Sequence, residues 1–123
     1  DIYHGPCETK RLVGCGAGNE YVAVAPNGDI YPCHQFDGDS SYRLGNVLEG
    51  SFDTKIPEQF AVNNLLTKED CRGCWAKYYC SGGCAANAIH YCGDINKPYK
   101  LTCELMRKRS ECAIAVNSLE KSK

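Results

Sequence analysis

No stretch of this 123-residue chain approaches the roughly 18–20 consecutive apolar residues that a membrane-spanning helix requires. Its opening residues also lack the charged, apolar and small-residue pattern of a secretory leader. Aromatic core material is scarce, with three Phe and one Trp beside a single Met. Neither charge is in excess: 14 Lys and Arg stand against 15 Asp and Glu, a formal net of −1. That balance, mixed along the sequence, excludes the basic face or stripe of a nucleic-acid binder. There is no internal repeat and no low-complexity segment. The start, Asp1-Ile2-Tyr3-His4, carries no initiator Met, so the expectation is a piece of a longer, cytoplasmic protein.

What the chain has in quantity is cysteine. Ten in 123 residues, about 8%, reach the range in which a disulfide framework must be weighed. Such frameworks usually belong to secreted domains shorter than about 80–100 residues, and this chain also carries long helix-like segments. Apolar residues make up 43%, but Cys, Ala and Tyr supply much of that share, and the mean hydropathy is −0.42. One domain with a modest core, held by a covalent or metal staple, is the expectation.

The segment order predicts a small α+β fold. Residues 1–14 read as an irregular lead-in with a Gly5-Pro6 turn. Tyr21-Val22-Ala23-Val24 and Ile30-Tyr31 read as strands around the Asn27-Gly28 turn, a β-hairpin in which Gly28 takes φ > 0. Folding that hairpin brings Cys15 and Cys33 to one end. Residues 37–56 read as loop, with a short extended piece at Tyr42-Arg43-Leu44. Pro57 to Leu66 is expected as a short helix that packs Phe60 and either Leu65 or Leu66 inward. The stretch 71–84 is too rich in Cys and Gly for regular structure and reads as a knot held by what it binds. Ala85 to Tyr91 is expected as a two-turn helix and Gly93 to Lys100 as a loop. Leu101 to about Leu119 reads as an amphipathic helix with Leu105, Cys112, Val116 and Leu119 on one face.

Seven cysteines follow one order: Cys15-x12-Gly28-x4-Cys33, then Cys71-x2-Cys74-x5-Cys80-x3-Cys84, then Cys103. Cysteines at i and i+3 reach one metal centre together, and a third at i+9 returns to it after a loop. Iron–sulfur clusters are held by such thiolates, with a remote cysteine completing the set. Cys84 falls where the chain enters a helix, which turns it away from Cys71, Cys74 and Cys80. The hairpin thiols Cys15 and Cys33 need partners, and Cys84 can supply one, leaving Cys103 to close the other set. A structural zinc site also takes four cysteines, often as two close pairs, and the separation of Cys15 from Cys33 suits it poorly. Spacing therefore favours iron–sulfur ligation, with zinc and disulfides still open.

The same residues resemble a known family. The order C-x12-G-x4-C, C-x2-C-x5-C-x3-C and a late C is similar to the SPASM domain of radical S-adenosylmethionine enzymes. Gly14-Cys15-Gly16-Ala17-Gly18, Tyr31-Pro32-Cys33-His34-Gln35-Phe36 and Leu44-Gly45-Asn46-Val47 resemble one branch of it, the maturases of six-cysteine-in-forty-five (SCIFF) peptides. So does Cys71-Arg72-Gly73-Cys74-Trp75-Ala76-Lys77-Tyr78-Tyr79-Cys80-Ser81-Gly82-Gly83-Cys84, and the likeness covers residues 5–116.

The resemblance implies two auxiliary 4Fe–4S clusters, the first on Cys15, Cys33 and Cys84, the second on Cys71, Cys74, Cys80 and Cys103. It implies for the first cluster either a fourth cysteine, for which Cys7 is the candidate, or an open iron that a substrate thiolate occupies. The SPASM-like domain would run over 15–119, preceded at 1–14 by a lead-in from a catalytic barrel. That barrel would carry CxxxCxxC, a third cluster and S-adenosylmethionine. No CxxxCxxC occurs here, so this fragment alone should be inactive. The implied function is the C-terminal auxiliary-cluster part of a maturase forming thioether crosslinks in a cysteine-rich ribosomal peptide, through thiolate binding and electron transfer. The implied partners are the barrel in the same parent chain and the precursor peptide, with no nucleic acid and no membrane. A stand-alone ferredoxin-like electron carrier and a zinc-stapled interaction module are the alternatives.

Other residues take plainer readings. Cys112, on the apolar face of the last helix, reads as a small buried hydrophobe, and Cys92 as a packed or unligated thiol. His34 reads as a structural histidine at a strand end before a tuner of a cluster. Trp75, Tyr78 and Tyr79 would shield a cluster from solvent, and Lys77 reads as a solvated charge.

Overall fold

The structure, a computed structural model, describes residues 12–122, which fall into two compact units: residues 15–63, and residues 12–14 with 64–122. The expected lead-in lies almost wholly outside the described residues, and Cys7 with it.

The unit of residues 15–63 starts from the expected hairpin. Strands β1 (Ala23–Val24) and β2 (Asp29–Tyr31) pair antiparallel, with Ala23 opposite Tyr31 and Val24 opposite Ile30. Between them the Gly28 N–H donates to the Ala25 carbonyl at 2.9 Å, and the Ala25 N–H to the Asp29 carbonyl at 2.8 Å. Gly28 has φ +88° while Asn27 stays at negative φ. The connection is thus a turn closed by one left-handed glycine, not a two-residue Asn-Gly turn, which needs φ > 0 at both positions.

Where the sequence predicted loop, two more strands extend the sheet. β3 (Gly45–Asn46) pairs antiparallel with β2, and β4 (Ser51–Phe52) with β3, giving the order β1-β2-β3-β4. Tyr42, expected in an extended piece, instead ends the 3₁₀ turn Ser40–Tyr42. Strands of two residues have no alternation to read, so their pairing is fixed by tertiary hydrogen bonds. Asn46 supplies several. Its side-chain amide donates to the Asn27 carbonyl at 3.1 Å and to Asp29 at 2.9 Å, and its Oδ1 accepts from the Leu48 N–H at 2.8 Å. Arg43 Nε donates to the same Asp29 carboxylate at 2.6 Å. The hydrogen bonds from Asn46 and then Arg43 hold Asp29 below the usual carboxylate range. Helix α1 (Lys55–Ala61) carries Pro57 in its first turn, where its missing N–H leaves no bond unmade. It buries Phe60 edge-on to Phe36 at 5.8 Å, and Phe36 lies 4.5 Å from Tyr42.

The second unit is helical among the described residues: α2 (Glu69–Arg72), α3 (Lys77–Cys80), α4 (Ala85–Cys92) and α5 (Lys100–Lys121). The Cys-rich knot, expected to be irregular, contains two one-turn helices, which backbone bonds hold locally despite the Gly content. Its buried residues include Leu65, Lys68, Cys71, Ala76, Ala86, Ala88 and Ser110, a core made largely of small side chains. Leu65 is the inward residue of its pair and Leu66 is exposed. α5 has the expected extent, but its apolar face is not buried among the described residues. Leu105 and Leu119 are 62% and 68% exposed, and Cys112 is exposed, correcting its reading as a core residue. No described helix is long and apolar enough to cross a membrane.

A Cβ added at Gly28 would stand 2.9 Å from Asn46 Oδ1 and 3.1 Å from Leu48 Cγ, on a backbone that β-branched residues resist. Gly28→Val should therefore lower stability by about 1–3 kcal/mol, read from chemical denaturation. An unchanged midpoint would place the strain elsewhere.

Candidate metal centre

The knot is built from short-range backbone bonds. The extended Lys68 opens α2, its carbonyl accepting from the N–H groups of Cys71 at 3.0 Å and Arg72 at 3.1 Å. The Cys74 N–H then donates to the Cys71 carbonyl at 3.1 Å, and the Cys80 N–H to the Ala76 carbonyl at 2.9 Å. After Cys80 come Ser81, Gly82 and Gly83 with φ of +61°, +83° and +75°. Three left-handed residues in a row reverse the chain, and two of them are glycines, which adopt that conformation without steric cost. Cys84 follows in extended conformation as the cap of α4.

Cys71, Cys74, Cys80 and Cys103 line one cavity of about 270 Å³. Cys103 comes from the first turn of α5, where Lys100, Cys103, Glu104 and Arg107 recur at i, i+3, i+4 and i+7 and all line the same space. The positive end of that helix favours a thiolate there. Asp70, Lys77 and the fully buried Ala76 also line it. None of the four thiols is in a disulfide. No three His, Cys, Asp or Glu side chains among the described residues close around one point as a single ion would require.

Burial pushes the Cys71 thiol up to about 11; the Lys68 ammonium opposes this, and the thiolates of Cys103, Cys80 and Cys74 add to it. Cys103 is raised by burial and then by Cys80, with Arg107 pulling it down. Metal-free, Cys71 and Cys103 hold their protons more tightly than an ordinary thiol. A bound cationic metal would remove them.

The hairpin pair is arranged separately. The Gly18 N–H donates to the Pro32 carbonyl at 2.9 Å, tying the segment of Cys15 beside that of Cys33. Cys33 is buried, while Cys15 is exposed and its Sγ accepts from the Tyr21 hydroxyl at 3.6 Å. Cys84 does not line the larger cavity; it lines a narrow crevice with Cys80, Gly82, Gly83 and Asn87. Cys92 lines neither. His34 is exposed on the 3₁₀ turn that follows Cys33. Trp75, Tyr78 and Tyr79 are not among the residues lining the cavity, whereas the buried Ala76 is. Lys77 is only half-exposed: its Nζ donates to the Arg72 carbonyl at 2.8 Å and lies 5.3 Å from the centre of the Tyr78 ring.

Sequence reasoning missed Lys100, Glu104, Arg107 and Lys68. Helical spacing around Cys103 carried a signal for the first three. Lys68 had none, because Thr67-Lys68-Glu69-Asp70 reads as solvated surface.

Residues 15–75 match the family described as SPASM, an iron–sulfur cluster-binding domain. The chain is 35% identical over 49 residues to the antilisterial bacteriocin subtilosin biosynthesis protein AlbA of Bacillus subtilis (strain 168), covering 40% of this chain and 10% of that protein. It is 30% identical over 91 residues to the PqqA peptide cyclase of Xanthomonas euvesicatoria pv. vesicatoria (strain 85-10), covering 71% of this chain and 24% of that protein. The PqqA peptide cyclase of Rhizobium meliloti (strain 1021) is 32% identical over the same coverage. The chain thus spans 24% or less of the length of these relatives.

In the metal-free protein, alkylation of Cys71 should keep accelerating as pH rises from 9.0 to about 11, because the thiolate is the reactive form. The unfolded thiol ionises near 9.0 and the folded one near 11, so stability of the metal-free form should fall across that window. Pulse labelling read by peptide mass spectrometry checks this. A Cys71 rate that levels off near pH 9.0 would contradict it.

Proposed function

We propose, from the match of residues 15–75 to the SPASM iron–sulfur cluster-binding family, that the chain is the auxiliary-cluster part of a radical S-adenosylmethionine enzyme that modifies a peptide. The observation that carries this reading is the convergence of Cys71, Cys74, Cys80 and Cys103 on one cavity of about 270 Å³. A zinc ion draws four sulfurs to about 2.3 Å from a single point. Thiols that instead surround a space fit a bulkier centre, and soft thiolates suit iron–sulfur clusters.

In this proposal those four cysteines hold one 4Fe–4S cluster, and Cys15, Cys33 and Cys84 hold another. The fourth position of the latter is taken by Cys7 or left open for a peptide thiolate. Clusters of this kind supply one-electron chemistry, and an open iron favours deprotonation of a coordinating thiol. The chain's own contribution is to fix the thiolates, to balance their charge through Lys77, Lys100 and Arg107, and to keep Cys71 out of water. The S-adenosylmethionine site and its CxxxCxxC belong, in this reading, to another part of the enzyme. The names of the relatives, a bacteriocin biosynthesis protein and a peptide cyclase, support a peptide substrate. Thioether formation in a cysteine-rich SCIFF-type precursor is the finer version, supported by the motifs around Cys33 and Cys71–Cys84.

Anaerobic reconstitution should give about eight iron and eight sulfide per chain. Cys74→Ala and Cys33→Ala should each remove one electron paramagnetic resonance signal, and different ones. Cys84→Ala should remove the signal lost in Cys33→Ala. Loss instead of the Cys74 signal would make the ligand sets wrong, and tight zinc in place of iron would overturn the cluster reading.

A further inference from the structure

Lys68 is 2% exposed, among the most completely buried side chains described. An ammonium has three N–H donors, and among the described residues this one donates to a single neutral acceptor, the Gly82 carbonyl at 2.9 Å. Among the described residues no carboxylate pairs with it. A buried charge without a counter-charge costs several kcal/mol, so such a position calls for an anion nearby. Gly82 itself lines the four-thiol cavity. Burial lowers the Lys68 ammonium below the usual lysine range, and the groups that oppose this are cysteines: thiolates at Cys71, Cys80, Cys103 and Cys84 favour its charged form.

We infer that Lys68 is the built-in counter-cation of the centre held by Cys71, Cys74, Cys80 and Cys103, and that it raises the reduction potential of that centre. The inference rests on the cluster reading above. A cluster ligated by four thiolates is a net anion and becomes more negative on taking up one electron. A fixed positive charge beside it stabilises the reduced form more than the oxidised one. Burial keeps water from screening that charge. The bond to Gly82 also ties Lys68 to the left-handed turn between Cys80 and Cys84, so charge and positioning must be separated by experiment.

The test uses the iron-loaded protein and the signal that Cys74→Ala abolishes, titrated with dithionite under electron paramagnetic resonance. Lys68→Gln keeps a donor for Gly82 without the charge, Lys68→Met removes both, and Lys68→Arg keeps the charge. Gln and Met variants that reduce at a more negative potential than wild type, with Arg close to wild type, are the expected result. Loss of that cluster in Gln and Met with retention in Arg also supports the inference. Wild-type potentials in both Gln and Met, a wild-type value in Gln alone, or loss in all three variants would overturn it. Absence of any iron bound through Cys74 in the wild type would instead refute the cluster reading itself.

Discussion

Four thiols crowded around one cavity repel one another as soon as they ionise, and the helical unit is organised around that repulsion. Burial raises Cys71 and neighbouring thiolates raise it further, so without a metal its neutral thiol is favoured. The proposed cluster would supply the positive charge that lets them ionise together. The surrounding residues share the load. Arg107 and Lys100 come from the same helix face as Cys103, Lys77 from α3, and Lys68 from behind the turn. A core of Ala, Cys and Ser side chains has little apolar area to bury, so stability tied to what fills the cavity is the expected consequence.

Backbone geometry serves the same end. One-turn helices place Cys71 and Cys80 without long regular elements, and the run Ser81-Gly82-Gly83 turns Cys84 onto a different lining from that of Cys80's larger cavity. In the sheet unit, Asn46 and Arg43 converge on Asp29 and lock the hairpin that sets Cys15 beside Cys33.

The cysteine order, the left-handed Gly28 and the two longer helices were legible because each leaves a local mark: a spacing, a turn residue, a period. Strands β3 and β4 were not, since two residues cannot show alternation and Asn46 does its work through contacts distant in sequence. The apolar period of α5 marked a face, but a period does not say what covers it, and Leu105, Cys112 and Leu119 lie exposed. Lys68 was invisible because burial of a lysine among acidic neighbours in sequence is decided wholly by tertiary packing.

The central claim is that Cys71, Cys74, Cys80 and Cys103 together bind one iron–sulfur cluster. Native mass spectrometry of anaerobically reconstituted protein with Cys15, Cys33 and Cys84 all replaced by Ala tests it most directly. A mass increment of one 4Fe–4S cluster is expected, lost when Cys103 is also replaced. An increment of a single zinc ion, or none at all, would contradict it.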